Sequence, residues 1–318
     1  MGLYLGFDTS NYTTSAAVYD SASKSVVSKK RLLPVKRGEL GMRQSDAVFH
    51  HTVQLPEVTE ELFDDLGKVG GNITAVGASS RPRDAEGSYM PCFLVGESAA
   101  RCVSAADGTK PCLFSHQSGH IAASLFSAGR LDLLQERFIA FHVSGGTTEV
   151  VLAEPDDENI IKCRVLLSSL DLKAGQAVDR VGAMLGLSFP AGSLLDELAQ
   201  KSDRSFKINI SLKDGCCSLS GLQNKCETMK KQGESSSDIS RFCIMYISAA
   251  LDKMAEYSLA NHGEMPLVFS GGVMSNSFIR KQFTEKYGAV FGSPEFSSDN
   301  AAGISVLTAL KAEKGRKA

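Results

Sequence analysis

The same layout occurs twice in this chain, and that repetition limits its possible folds more than any other feature. Leu3-Tyr4-Leu5-Gly6-Phe7-Asp8 runs into a polar turn, Thr9 to Thr13, and leaves through Thr14-Ser15-Ala16-Ala17-Val18-Tyr19. About 135 residues later, Phe138-Ile139-Ala140-Phe141-His142-Val143 enters Ser144-Gly145-Gly146-Thr147 and leaves through Thr148-Glu149-Val150-Val151-Leu152-Ala153. Apolar runs joined by a short Ser/Thr/Gly turn predict a β-hairpin in each case. Each hairpin opens one half of a chain of 318 residues, a length that suits two cores better than one. Helical and strand-like patterns alternate between them. The expectation is therefore two related α/β lobes, residues 1–133 and 134–298, with a hairpin tip from each facing a shared cleft. The last helix, within 299–318, is expected to pack back on the first lobe.

Helices are expected over 46–66, with Pro56 interrupting the apolar pattern, and over 92–105, 116–128, 175–185, 194–201, 239–261, 276–287 and 300–314. Further strands are expected over 75–79, 112–115 and 267–270. The formal net charge of −2 gives no global basic field to advertise nucleic acid. Charge is uneven, however: Lys24, Lys29, Lys30, Arg31, Lys36, Arg37 and Arg43 face only Glu39 in their stretch. Lys311, Lys314, Arg316 and Lys317 close the chain. Each cluster is either a solvated rim or a phosphate-contacting edge.

The eight cysteines include no C-x-x-C pair, so neither a zinc ribbon nor a disulfide framework is expected. Free buried thiols in a reducing cytoplasm fit better. No basic n-region precedes Asp8, and no apolar stretch approaches membrane-spanning length. A cytoplasmic protein with no membrane partner is the expectation.

Chemistry concentrates in a few polar stretches. His116 and His120 stand four apart at the start of a helical pattern, so both rings share one face and can reach one cation. Asp299, just before the last helix, reads either as an N-cap or as a third ligand. Two His and one carboxylate with open positions suit ferrous iron, with zinc as the alternative. Ser144-Gly145-Gly146 can surround phosphate oxygens with N–H groups and a hydroxyl, or can simply be a tight turn. Gly271-Gly272 and Asn276 join a strand to a helix N-terminus, which favours an anion, with an N-cap as the plain reading. A side chain at Gly145, Gly146 or Gly271 is expected to block a ligand without unfolding the chain. Asp179 and Asp196, the latter after Pro190-Ala191-Gly192, could flank a ribose, though Asp179 pairs as readily with Arg180. Tandem His50-His51 reads as surface.

Taken in order, these segments resemble the tRNA threonylcarbamoyladenosine synthase family, formerly known as O-sialoglycoprotein endopeptidases. The motifs are Gly6-Phe7-Asp8-Thr9-Ser10, His116-Gln117-Ser118-Gly119-His120, Val143 to Thr148, Ala177-Val178-Asp179, Leu185-Gly186-Leu187 with Pro190-Ala191-Gly192, Ser218 to Leu222, Ser270-Gly271-Gly272-Val273 with Asn276, and Ser298-Asp299-Asn300. The resemblance implies the two-lobed α/β fold of actin, sugar kinases and heat-shock ATPases, with a nucleotide cleft between the lobes. It implies that His116, His120 and Asp299 hold one divalent metal. Ser144, Gly145, Gly146, Asp179, Gly192, Asp196 and Asn276 would contact an adenylate substrate. The implied reaction moves threonylcarbamoyl from its AMP adduct to N6 of an adenosine beside the tRNA anticodon. It assigns no catalytic side chain, and AMP is already a good leaving group. The implied partners are tRNA, a paralogous inactive subunit, a small ATPase and the enzyme that makes the adenylate.

Two segments depart from the family. Acidic residues usually follow the opening Thr-Ser, where this chain has Asn11-Tyr12-Thr13-Thr14. A Gly-Pro-Gly loop is replaced by Ser79 to Gly87, whose Arg81 and Arg83 could clamp an anion or pair with Asp84 and Glu86. The alternatives are a carbamoyl-type transferase with a non-tRNA acceptor and a nucleotide-binding regulatory subunit. A metallopeptidase is disfavoured, because the His pair lacks the Glu of His-Glu-x-x-His.

Overall fold

Both hairpins form. The computed structural model describes residues 2–10, 12–34, 42–67, 72–296 and 301–317. Its chain divides into two units, one of Met1–Glu136, Glu154–Arg164 and Glu295–Ala318, the other of Arg137–Ala153 and Val165–Pro294.

In the first unit β1 (Leu3–Asp8) pairs antiparallel with β2 (Thr13–Asp20), Gly6 opposite Ala17. Strand β3 (Ser25–Leu32) joins the outer side of β2, while β4 (Ile73–Arg81) and β5 (Cys112–Ser115) add in parallel beyond β1. The order is β3-β2-β1-β4-β5. Strands β1 and β2 are buried on both faces, as strands covered by helices on two sides must be. Leu5, Phe7, Ala16 and Val18 meet Leu55, Val58 and Leu62 of α1 (Gln44–Asp65) and Ala100 of α2 (Phe93–Ala106). On the other face Tyr4 and Tyr19 meet Val306 and Ala309 of the last helix, α9 (Ala302–Lys317). Helix α3 (His116–Ser127) follows β5 directly and packs against α9.

Pro56 lies inside α1, as the expected helix over 46–66 requires, and the buried Leu55, Val58 and Leu62 hold the helix against the sheet despite the missing donor. Two expectations change here. His51 is not at the surface. It is fully buried on α1, its Nδ1 2.8 Å from the Thr14 hydroxyl, which donates to Gln54 Oε1 at 3.0 Å. The basic stretch 24–31 is largely an edge strand, whose charges discourage further strand pairing. Lys29 pairs with Asp65 at 2.6 Å and Arg31 with Glu57 and Glu61, all on α1, so that edge is not an unopposed positive field. Lys36 and Arg37 lie outside the described residues. Between α1 and α2 runs an apolar groove of about 770 Å³, with Phe63 and Leu94 on its wall.

The second unit repeats the plan. Strand β6 (Phe138–Val143) pairs antiparallel with β7 (Thr148–Asp156), which borders β8 (Ile160–Ser168). Strands β9 (Leu267–Ser270) and β10 (Val290–Phe291) continue in parallel on the other side of β6. Counted from each hairpin, both sheets read third, second, first, fourth, fifth. Helices α4 (Ala174–Met184), α5 (Gly192–Ala199), α6 (Ser220–Lys231), α7 (Ser236–His262) and α8 (Ser277–Tyr287) complete the unit. Helix α6 was not expected, because its sequence is mostly polar. Leu222, Cys226 and Met229, three and four apart, supply the apolar side it presents to the core. At the centre Phe269 stacks on Phe141 at 4.6 Å and on Phe291 at 5.1 Å, locking β6, β9 and β10 together. Each fully buried ring contributes on the order of 1.5–3 kcal/mol.

The eight cysteines are free, and Cys102 alone among these described residues is exposed. Burial pushes the Cys163 thiol up to about 12 and the Cys217 thiol up to about 11. Among the described residues no helix is long and apolar enough to cross a membrane.

Candidate functional site

Each unit gathers polar side chains at one place. In the first unit that place is the end of the parallel strands. Asp8 ends β1, Ser79 stands beside it on β4, and His116 opens α3 straight after β5. The buried Asp8 carboxylate accepts from Ser79 Oγ at 2.6 Å through Oδ1 and meets His116 Nδ1 at 2.8 Å through Oδ2. Ser115 caps the helix by accepting from Ser118 N at 3.1 Å. One turn on, the His120 ring lies edge-on to His116, with centroids 4.3 Å apart, and is itself buried. The two imidazoles therefore share one face of α3.

Asp299 lies outside the described residues, and among the described residues no three His, Cys, Asp or Glu side chains converge as a complete ligand set. The pair by itself fits two adjacent positions around one cation. His120 is buried and His116 partly so, and Asp8 holds the His116 ring by one nitrogen, as metal-bound imidazoles usually require. In the same turn the buried Gln117 Oε1 has no hydrogen-bond partner among the described residues, and neither does Ser10 Oγ, two residues past Asp8. Buried polar atoms left open in this way suit a site completed by a bound group.

The loop after β4 closes over the start of α3. Asp84 accepts from Arg81 Nη2 at 2.9 Å, from Ser118 Oγ at 3.0 Å and from Cys163 N at 3.1 Å. Gln117 N donates to Pro82 O at 3.1 Å. Of the two roles open to Arg81, pairing with Asp84 is the one the structure shows. Thr13 and Thr14 are buried, so they offer no substitute for the acidic residues that the family carries there. Asn11 lies outside the described residues.

The second unit holds a cavity of about 540 Å³, within the usual range for a small-molecule site. Gly145, Asp179, Gly192, Asp196, Gly272 and Asn276, all chosen from sequence, line it together. Val178, Leu195, Ile244, Ile247 and Ile279 form its apolar wall. Asp179 Oδ1 accepts from Ala191 N at 2.9 Å, tying α4 to the start of α5. Asp196 accepts from Ser277 N at 3.1 Å and Ser277 Oγ at 3.2 Å, tying α5 to α8. Asn276 caps α8 through Ile279 N at 3.1 Å while also facing the cavity.

Three candidates do not lie on the cavity wall. Ser144 Oγ accepts from Thr147 N at 3.1 Å and closes the hairpin turn. Gly146 sits exposed at the tip. Gly271 has φ +97°, and a Cβ there would stand 2.3 Å from Val143 O, so it serves the backbone path and not the ligand. The expectation that a side chain at Gly271 leaves the fold intact is therefore overturned. Residues missed from sequence include Pro190, Ser193, Glu197 and Ser275 on the wall. Asp8 was missed as the partner of His116; its one visible signal was a carboxylate ending an apolar strand.

Known proteins resemble this chain along most of its length. The tRNA N6-adenosine threonylcarbamoyltransferase of Thermosipho africanus is 28% identical over 329 aligned residues, covering 98% of this chain and 95% of the relative. The same-named protein of Thermofilum pendens is 25% identical over 317, covering 98% and 89%. Among solved structures, full-length HypF in its phosphate- and nucleotide-bound form superposes with TM-score 0.61 at 13% identity, covering 99% of this chain and 56% of that one. That likeness shows the fold alone, the actin-like ATPase fold. The sequence profile described as TsaD, tRNA N6-adenosine threonylcarbamoyltransferase, matches residues 28–306, and the chain belongs to that family of transferases.

Proposed function

We propose that this chain transfers a threonylcarbamoyl group from its AMP adduct to N6 of an adenosine beside the anticodon of tRNA. The observation that carries the reading is the convergence of Gly145, Asp179, Gly192, Asp196, Gly272 and Asn276 on one cavity of the second unit. The adenylate occupies that cavity, its base against the apolar wall and its ribose hydroxyls near Asp179 and Asp196. Its phosphate lies by the backbone of Gly145, where Gly175 brings the start of α4 so close that a Cβ would stand 2.6 Å from Gly145 N. In the transfer the adenosine nitrogen forms a bond to the carbamoyl carbon. The carbon–oxygen bond to AMP breaks, and N6 loses a proton. A thiol intermediate is disfavoured for Cys163 and Cys217, whose raised pKa values keep them protonated. Positioning the two substrates does most of the work in this reading.

His116, His120 and Asp299 would hold one iron or zinc ion. Such an ion polarises an oxygen of the transferred group when bound. The partners follow from the family: tRNA, a paralogous subunit, a small ATPase and the adenylate-making enzyme.

The direct test supplies the purified chain with threonylcarbamoyl-adenylate, its partner subunits and unmodified tRNA, and measures the modified nucleoside by mass spectrometry. Formation of that nucleoside is expected. If the adenylate binds and the tRNA stays unmodified, while a relative with the acidic opening motif succeeds in parallel, the acceptor is something else. One observation favours that second reading. The Arg81–Asp84 pair and Pro82 fasten a bulky loop over the first turn of α3, where the family has a Gly-Pro-Gly loop.

Nucleotide binding has its own check. A Cβ at Gly145 meets nothing within 4 Å, so Gly145→Val should fold normally and fill ligand space instead. Calorimetry should show AMP or ATP binding weakened roughly 10-fold or more, as expected where a backbone must approach phosphate closely. Gly271→Val, by contrast, should fail to fold.

A further inference from the structure

We propose that Asp8, steadied by Ser79, is the positioning residue for His116, fixing its proton on Nδ1 and aiming the Nε2 lone pair at the cation. This rests on the metal reading of the His pair and adds a residue to it.

The argument is one of donors and acceptors. An ionised carboxylate only accepts hydrogen bonds. Asp8 is 1% exposed, so water cannot supply its partners. Its Oδ1 takes the Ser79 hydroxyl at 2.6 Å, and its Oδ2 lies 2.8 Å from His116 Nδ1. Nδ1 must then carry the hydrogen, and in the neutral ring the lone pair is on Nε2. The backbone fixes the arrangement: β1 and β4 run parallel with Phe7 beside Ala78, which puts Asp8 beside Ser79. Strand β5 pairs with β4 and delivers His116 one residue after its end. Phe93 lies 6.0 Å from the His116 ring and His120 4.3 Å from it, so neighbours on two sides limit its rotation. A carboxylate behind an imidazole in this way orients the ring and raises its basicity as a ligand.

A rival arrangement makes the opposite statement about one proton. If Asp8 were itself a ligand alongside His116 Nδ1, that nitrogen would be bare and the hydrogen would sit on Nε2.

Nitrogen-15 NMR of histidine-labelled, metal-free protein distinguishes the two, with the His116 signals identified by their loss in His116→Gln. Wild type should show His116 protonated at Nδ1. Asp8→Asn keeps an acceptor oxygen of the same shape and should keep that tautomer, whereas Asp8→Ala should lose it. Titration with Co²⁺ alone, followed by its visible absorbance, should show affinity roughly 10–100-fold weaker in Asp8→Ala. Asp8→Asn should restore much of that loss, a rescue that a purely structural role for the carboxylate would not produce. Circular dichroism separates these effects from unfolding, and if Asp8→Ala does not fold, Ser79→Ala and Asp8→Asn carry the comparison. His116 protonated at Nε2 in wild type, or unchanged Co²⁺ affinity in folded Asp8→Ala or, in its place, in Ser79→Ala, overturns the role of Asp8. A wild-type protein that binds no Co²⁺ overturns the metal reading itself, and the tautomer then reports separately on the Asp8–His116 contact.

Discussion

Gly303→Val should leave the first unit unable to hold its native packing. A Cβ at Gly303 would stand 1.8 Å from Gly119 O and 2.7 Å from Ala123 N, both backbone atoms of α3. No side chain can swing aside to make room, so the two helices must separate. Separation would also pull α9 from the sheet, where Gly6 and Gly77 admit it just as closely: their Cβ positions fall 2.5 Å from Ser305 N and 2.0 Å from Thr308 Oγ1. Overpacking of a core usually costs about 1–3 kcal/mol, and clashes with backbone on this scale belong at or above the top of that range. Against a typical total of about 5–15 kcal/mol, the expected outcome is insoluble protein or a much lower urea midpoint. Gly221→Val is the control, since a Cβ there meets nothing within 4 Å. Equal urea midpoints for Gly303→Val and wild type would show that α3 and α9 do not cross as closely as described.

Removing either imidazole of the pair should have the largest effect on chemistry. In His116→Ala or His120→Ala, metal content is expected to fall from about one ion per chain to background, because a first ligand is gone. Threonylcarbamoyl transfer should fall with it by roughly 1,000-fold, the equivalent of the several kcal/mol that a Lewis acid supplies. His50→Ala, on α1 against Phe49, should change neither quantity. Elemental analysis and the nucleoside assay together decide the matter. Full metal content in both variants would remove the pair from the site, and loss of metal with intact transfer would separate the ion from the reaction.

Much of this protein is legible in its sequence, and the exceptions share a physical cause. The hairpins, β5, β9 and the helix opening at His116 follow from local pattern alone. The cavity residues Gly145, Asp179, Gly192, Asp196, Gly272 and Asn276 stood in short motifs whose residue types already suited a nucleotide. What local pattern could not supply was pairing across the sheet. Asp8 and His116 lie far apart in sequence, and strand register alone brings them together. Contacts distant in sequence likewise turn Asp84 inward to Ser118 and Cys163, while the loop around it looks charged and exposed. His51 shows the converse error. A tandem His pair on a helix resembles a solvated face until the buried Thr14 side chain that meets His51 Nδ1 is seen.

The placement of α9 governs the order in which this protein can assemble during synthesis. Tyr4, near the start of the chain, donates its hydroxyl to Glu313 at 3.1 Å, and the face of β1 and β2 that carries Tyr4 and Tyr19 is covered by α9. The ribosome makes the hairpin first and its cover last. With elongation at roughly 5–20 residues per second, that face of the first sheet waits on the order of 15–60 s for its partner. The second unit, Arg137–Ala153 with Val165–Pro294, emerges whole in the meantime. The usual order, N-terminal unit first, is therefore reversed. The nascent chain presents an open apolar sheet for most of its translation, a surface suited to capture by a holdase until the last helix arrives.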